Sequence, residues 1–292
     1  MAIQDRKGKI HGKLNNTVYR TAGDKQIMQV MPGRVKQTLA TKLNALEFGL
    51  ASTQARALRE VMRPFYDECD SKMSLRLNAA VAACIRASGK EIGERDLHDA
   101  DLQPLVGFPF NTDAPFERLV SVKPFVERMP DGEFRFSLPT FNILKDIAYP
   151  TDSPRMDLEF TIAIVAFHFR EKVGYMWLID HASFPFANQD KQAEINWISR
   201  RQLPAGAIAF VVFSLRYASM NWLNQRIPTT NKCFYPTIIL DAFHITAEMA
   251  ITQENNPAFD GPVGEEIEIH SNTTQILKDI AQLRTKVSPV RK

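Results

Sequence analysis

The chain has 292 residues, 45% of them apolar and 10% aromatic, and a net charge of only +3. That length exceeds the roughly 100–200 residues of an ordinary domain, and the composition excludes long disordered stretches while leaving room for one large or two moderate domains. Three cysteines, Cys69, Cys84 and Cys233, are too few and too irregularly spaced for a disulfide framework or a paired zinc-ligand pattern.

Residues 1–13 are polar and lack the apolar core of a secretory signal, so cytoplasmic synthesis is expected, with a virion or other assembly as a compatible destination. The charge is polarised along the chain. Residues 1–42 carry nine Lys/Arg against two acids, a net of +7, whereas the remainder carries 27 basic and 31 acidic residues, a net of −4. Within this basic region Ile10 to Arg20 reads as strand, turn, strand, with Asn15-Asn16 at the turn. A second turn falls at Ala22-Gly23-Asp24. Gln26 to Met31 then alternates, with Ile27, Gln29 and Met31 on one side and Gln26, Met28 and Val30 on the other, giving a β-meander closed by Pro32-Gly33.

From Thr41 the apolar spacing becomes helical through Leu43, Leu46, Leu50, Leu58, Val61, Met62 and Phe65, with Pro64 ending or kinking the helix. A second helix is expected over Ser71 to about Ser88, capped by Asp70 or Ser71 and stopped by Gly89, and the two suggest an antiparallel pair. Cys69 and Cys84 fall in this stretch as small buried hydrophobes. Beyond Gly89 the spacing predicts strands over Phe116–Val126, Glu133–Leu138, Met156–Arg170, Val173–Ala182, Ala207–Trp222 and Phe234–Ala247, with a hairpin at Glu171-Lys172. Ser271, Asn272 or Thr273 caps a last helix carrying Ile276, Leu277, Ile280, Leu283 and Val287. The fold class is therefore α+β: an N-terminal β-hairpin or meander and antiparallel helix pair, then a mainly antiparallel β-sandwich and a C-terminal helix. The divisions are 1–89 for the basic arm with its two helices, 90–270 for the sandwich body, and 271–292 for the last helix and tail. The longest apolar run, Ile162 to Phe169, is too short for the ~20 residues of a membrane span, so membrane insertion is not expected.

Motifs of catalysis are missing. There is no Gly-x-Ser-x-Gly elbow, no Gly-x-Gly-x-x-Gly and no phosphate loop ending in Gly-Lys-Ser/Thr. Asp180, His181 and Ser183 are neighbours on a strand whose side chains alternate between faces, which cannot make a triad among themselves. His98 with Asp99 and Asp101 is the densest His/acid group, read as a solvated polar turn without metal-ligand spacing. His168 and His244, inside apolar strands, read as satisfied core or interface histidines. Trp177, Trp197 and Trp222 read as core, and Glu265, Glu266 and Glu268 as solvated charges. No cofactor or metal site is expected.

The segment Gly8-Lys9-Ile10-His11-Gly12-Lys13-Leu14-Asn15-Asn16-Thr17-Val18-Tyr19-Arg20, with Pro32-Gly33-Arg34 and Thr38 to Phe48 downstream, resembles a family of bacterial proteins common in the Bacteroidetes. In that family a Gly-Lys-x-Gly-Asn-x-Val hairpin precedes a Pro-containing turn and a helix. Asn15 replaces the usual Gly, a substitution that left-handed backbone tolerates. The resemblance implies a hairpin-helix module attached to a β-sandwich, reminiscent of phage-like or surface-assembly proteins.

These features predict a non-enzymatic structural or assembly protein, a homo-oligomer or part of a protein assembly. Its basic arm, through Lys7, Lys9, Lys13, Arg20, Lys25, Arg34 and Lys36, docks on a neighbouring copy or partner, and complementary charge favours head-to-tail contacts. A nucleic-acid-binding role of the same arm is the alternative, since a basic β-ribbon suits phosphates and grooves. A carbohydrate-binding sandwich is a second alternative, which requires exposed tryptophans and converging carboxylates.

Overall fold

A computed structural model describes residues 2–31, 36–66, 70–150, 156–170, 173–186, 191–223, 225–229 and 231–285. The chain falls into two compact units, 1–42 and 43–292. The composition shift near Gly89 coincides with the end of a helix.

The first unit is an antiparallel meander of β1 (Ala2–Gln4), β2 (Ile10–Leu14), β3 (Thr17–Ala22) and β4 (Lys25–Val30), paired in chain order. Asn15 turns the β2–β3 hairpin at φ 51°, a left-handed conformation that Asn adopts more readily than most residues with a side chain, and Gly23 turns β3–β4 at φ 59°. Both turns fall where the sequence places them. Pro32-Gly33 lies outside the described residues. Strand β1 has no clear sequence signal. It is folded back by Asp5, whose Oδ1 accepts the N–H groups of Lys7 and Lys9 at 2.9 Å each. The bond from Lys9, followed by the His11 ring, holds the Asp5 carboxyl below its ordinary pKa.

In the second unit, α1 (Leu39–Met62) gives way to a single 3-10 turn at Arg63–Phe65, because Pro64 has no N–H to continue the helix. Helix α2 (Met73–Ala87) starts behind Asp70, whose Oδ1 accepts the Lys72 N–H at 2.8 Å, and buries Met73, Leu77, Val81, Cys84 and Ile85 as their spacing predicts. There follow α3 (Phe116–Leu119), β5 (Phe125–Arg128), β6 (Phe134–Leu138), α4 (Ile143–Asp146), β7 (Asp157–His168), β8 (Val173–Phe186) and β9 (Ile195–Ser199). The chain continues through β10 (Ile208–Met220), β11 (Arg226–Pro228), β12 (Thr237–His244), α5 (Ala247–Glu254), β13 (Ile267–His270) and α6 (Thr273–Thr285).

The large sheet runs β11-β10-β7-β8-β13, with β12 also paired to β10, and a smaller sheet runs β5-β6-β9. The result is a mainly antiparallel α+β fold, as the sequence predicts, and its sheets curl into a half-barrel. Alternation along β7 and β10 feeds two cores. Phe160, Ile162, Ile164, Phe213 and Leu215 meet the small sheet through Phe136 and Leu138. Val165, Phe167, Phe210 and Val212 meet the helices through Leu50, Leu58, Leu77 and Ile85. Strands covered on both sides lose the polar alternation of a half-exposed sheet, hence the long apolar runs in the sequence.

The last elements close the second core. Gln54 Nε2 donates to Thr273 Oγ1 at 3.3 Å, Ser271 Oγ donates to the Phe169 carbonyl at 2.7 Å, and Ile280 on α6 is fully buried. Val287 and the Glu171-Lys172 turn lie outside the described residues, although β7 and β8 do pair antiparallel across that turn.

One strand expectation fails. Phe116 to Leu119 is a helical turn, followed by loop as far as β5. Phe116, Leu119 and Val120 are buried at three- and four-residue spacing, a helical rather than an alternating period, and Pro124 cannot donate to a ladder. No described helix is long and apolar enough to cross a membrane.

Candidate docking face on the N-terminal meander

Directly paired residues of antiparallel strands share a sheet face, so the register sorts the meander into two sides. Leu14 pairs with Thr17 and Thr17 with Val30, while Tyr19 pairs with Met28 two positions along. This side is apolar and open: Leu14 is 55% exposed, Met28 67% and Val30 70%. No residue from 2 to 31 is buried.

The other side is basic. Lys13 pairs with Val18, Arg20 with Ile27 and Lys25 with Ala22, so Lys13, Arg20 and Lys25 form a diagonal across three strands. All three are exposed, and none pairs with a carboxylate among the described residues. The structure thus gathers three of the seven sequence-derived docking residues. Lys7 sits in the β1–β2 turn, Lys9 sends its Nζ to the Asp24 carbonyl at 3.2 Å, and Lys36 is exposed beyond the sheet. Arg34 lies outside the described residues.

Elsewhere the His98 group departs from the solvated turn expected of it. Asp96 is completely buried and caps a 3-10 turn by accepting the His98 N–H at 2.7 Å. Arg170 binds Asp96 through Nε at 3.1 Å and also contacts Asp99, which pairs with Lys90 at 2.7 Å. His98 itself is locked between two backbone groups: Nδ1 donates to the Gly206 carbonyl at 3.0 Å and Nε2 accepts the Phe169 N–H at 2.9 Å. Only a neutral ring does both. Burial above all pushes its pKa down to about 4, against the pull of Asp96 and with the help of the nearby His168 and Arg170. The signal was hidden because the partners lie about 70 to 110 residues away in sequence.

Asp180, His181 and Ser183 make no triad: Asp180 accepts from Ser199 Oγ at 2.7 Å and Ser183 meets Thr161 at 3.3 Å. His244 donates to the Ala100 carbonyl at 2.9 Å but is exposed, and His168 Nδ1 is buried with no partner among the described residues, so neither is a satisfied core histidine. Trp177 and Trp197 pack on the first core, and Trp177 donates to Glu266 at 3.0 Å, which gives that carboxylate a partner. Trp222 contradicts its core assignment at 89% exposed. Asn221 Oδ1 accepts the N–H groups of Leu223 and Gln225, shaping a turn that carries Trp222 outward. Cys84 is buried, its thiol pushed up to about 12 by that burial, and Cys233 is exposed; Cys69 lies outside the described residues. Among the described residues no three His, Cys, Asp or Glu are placed to hold a metal ion. Compared with protein-family models, curated proteins and solved structures, the chain matches none.

Proposed function

We propose that this chain is a non-enzymatic structural or assembly protein that docks through its N-terminal meander on a neighbouring copy or partner protein. The contrast between the two units carries the reading. The second unit builds two apolar cores, whereas the described meander buries nothing and leaves a row of large apolar side chains open. A sheet with one apolar face gains stability from a second layer that buries it, and an open apolar row of this kind marks a contact surface. The hairpin resemblance, with its phage-like or surface-assembly analogy, is in keeping with a modular docking arm. Light scattering of the full chain at low and high salt tests the reading: concentration-dependent assembly is expected, and a strict monomer at high concentration in both salts removes it.

The Lys13, Arg20, Lys25 diagonal supports nucleic-acid binding as a second reading. It ranks lower because Tyr19, the sole aromatic of the meander, lies on the opposite side and leaves the basic face no ring for stacking. A gel shift at low salt that disappears in Lys13→Ala/Arg20→Ala/Lys25→Ala is expected of that reading, and no shift at all removes it.

A further inference from the structure

We infer that the apolar side of the meander is covered by the same side of a second copy, in a two-fold, face-to-face pair that leaves both basic sides outward. The inference rests on the reading of the meander as the docking element and names its partner. The side formed by Leu14, Thr17, Tyr19, Met28 and Val30 carries no lysine, arginine, aspartate or glutamate, so it offers a charged partner nothing to recognise. For a second copy the same absence is an advantage, because two chains that each bring an arm of +7 can meet here without placing like charges in contact. Lys13, Arg20 and Lys25 all turn away from the contact.

Shape agrees with charge. Sheets stack face to face with interdigitating side chains, and an isologous contact requires only that one face complement itself, as a row of medium-sized apolar residues does. Four strands at ~4.8 Å spacing and about five residues of length give a footprint of roughly 300 Å². Side-chain relief raises this to about 500 Å² of accessible surface per copy, or about 1,000 Å² for the pair, at the lower limit of specific interfaces. The pair is therefore weak, with dissociation in the micromolar range. Its driving force is apolar, and the remaining electrostatic term is repulsion between two basic arms. Added salt screens that repulsion and tightens the pair, whereas docking of the arm on an acidic surface loosens with salt.

The test is sedimentation equilibrium of the full chain at ~1 and ~100 µM, in roughly 50 and 500 mM salt. A monomer that becomes a dimer with concentration, more so at high salt, is expected, together with a monomer throughout for Met28→Glu/Val30→Glu. The milder Met28→Gln/Val30→Thr, which keeps strand-compatible side chains, is expected to weaken the dimer at least tenfold. An unchanged far-ultraviolet spectrum and urea transition establish that each variant is folded. Assembly that dissolves with salt, or persists in both folded variants, overturns the face-to-face pair while leaving the docking arm in place. A wild-type monomer under all four conditions overturns both. In a mixture, tagged Met28→Glu/Val30→Glu is expected to capture no wild-type chain; capture means that the wild-type arm docks on the body of its neighbour and overturns the inference.

Discussion

Lowering the pH from 7 to 4.5 is expected to destabilise the second unit first through His98, with the carboxylates adding to the loss as pH approaches 4.5. In the unfolded chain this ring takes up a proton near its ordinary value of 6.5, whereas in the native fold it stays neutral down to about 4. Between those values the unfolded state binds more protons, so stability declines as pH falls from 6.5 and levels off for this group below 4. At ~1.4 kcal/mol per tenfold change the full window is worth about 3 kcal/mol, most of it lost by pH 4.5. The structural cause is specific: protonating Nε2 ejects the Phe169 N–H from its 2.9 Å bond and places a cation beside His168 and Arg170. Asp99 and Glu133, held below their ordinary values of 3.8 and 4.5, add to the acid loss at the lower end of this window and beneath it. Urea unfolding at pH 7, 5.5 and 4.5 measures the slope. His98→Gln, which keeps a donor and an acceptor without the titration, is expected to be less stable at pH 7 but to lose the extra slope. A native-state ring titration near 6.5 by NMR, or an equal slope in the variant, refutes the argument.

Two further outcomes follow from packing. A Cβ on Gly93, at φ 98°, would lie 2.4 Å from Ile280 Cγ2, so Gly93→Ala is expected to cost about 2–4 kcal/mol in urea unfolding, whereas Gly89→Ala, with nothing within 4 Å, changes stability by under about 1 kcal/mol. Equal effects of the two substitutions would contradict the close approach of Gly93 to α6. Brief treatment with a maleimide, followed by peptide mass mapping, is expected to modify exposed Cys233 and leave Cys84 untouched until denaturant is added, because burial keeps that thiol protonated. Native labelling of Cys84 at the rate of Cys233 would refute its burial.

The meander and the two long helices were legible because their signals are local. Asn15-Asn16 and Gly23 supply the left-handed turns, and Met73 to Ile85 repeat at the spacing of one helical face. The alternation of Met28 and Val30 against Ile27 and Gln29 even foretold which residues share a side. Short elements escaped: β1 has three residues and β13 four, too few for a period to register. The Phe116 segment misled because a few apolar residues fit either period. The His98 group and the outward Trp222 depend on long-range folding or on a single side chain, Asn221, shaping a turn. The two-sidedness of the meander lay in the sequence, but that its apolar side stays open did not, since only coordinates measure exposure.

The closure of the second core by its last elements has a consequence for synthesis. Thr273 meets Gln54 across 219 residues, and Ile280 occupies a fully buried position that the helices cannot fill by themselves. A ribosome must therefore release almost the whole second unit before that core completes, while the meander, whose strands pair in chain order, is free to form as soon as it emerges. For most of translation each nascent chain would display a finished apolar face ahead of an unfinished body. If the arms pair as proposed, adjacent chains on one message would meet through them first and fold their bodies as companions.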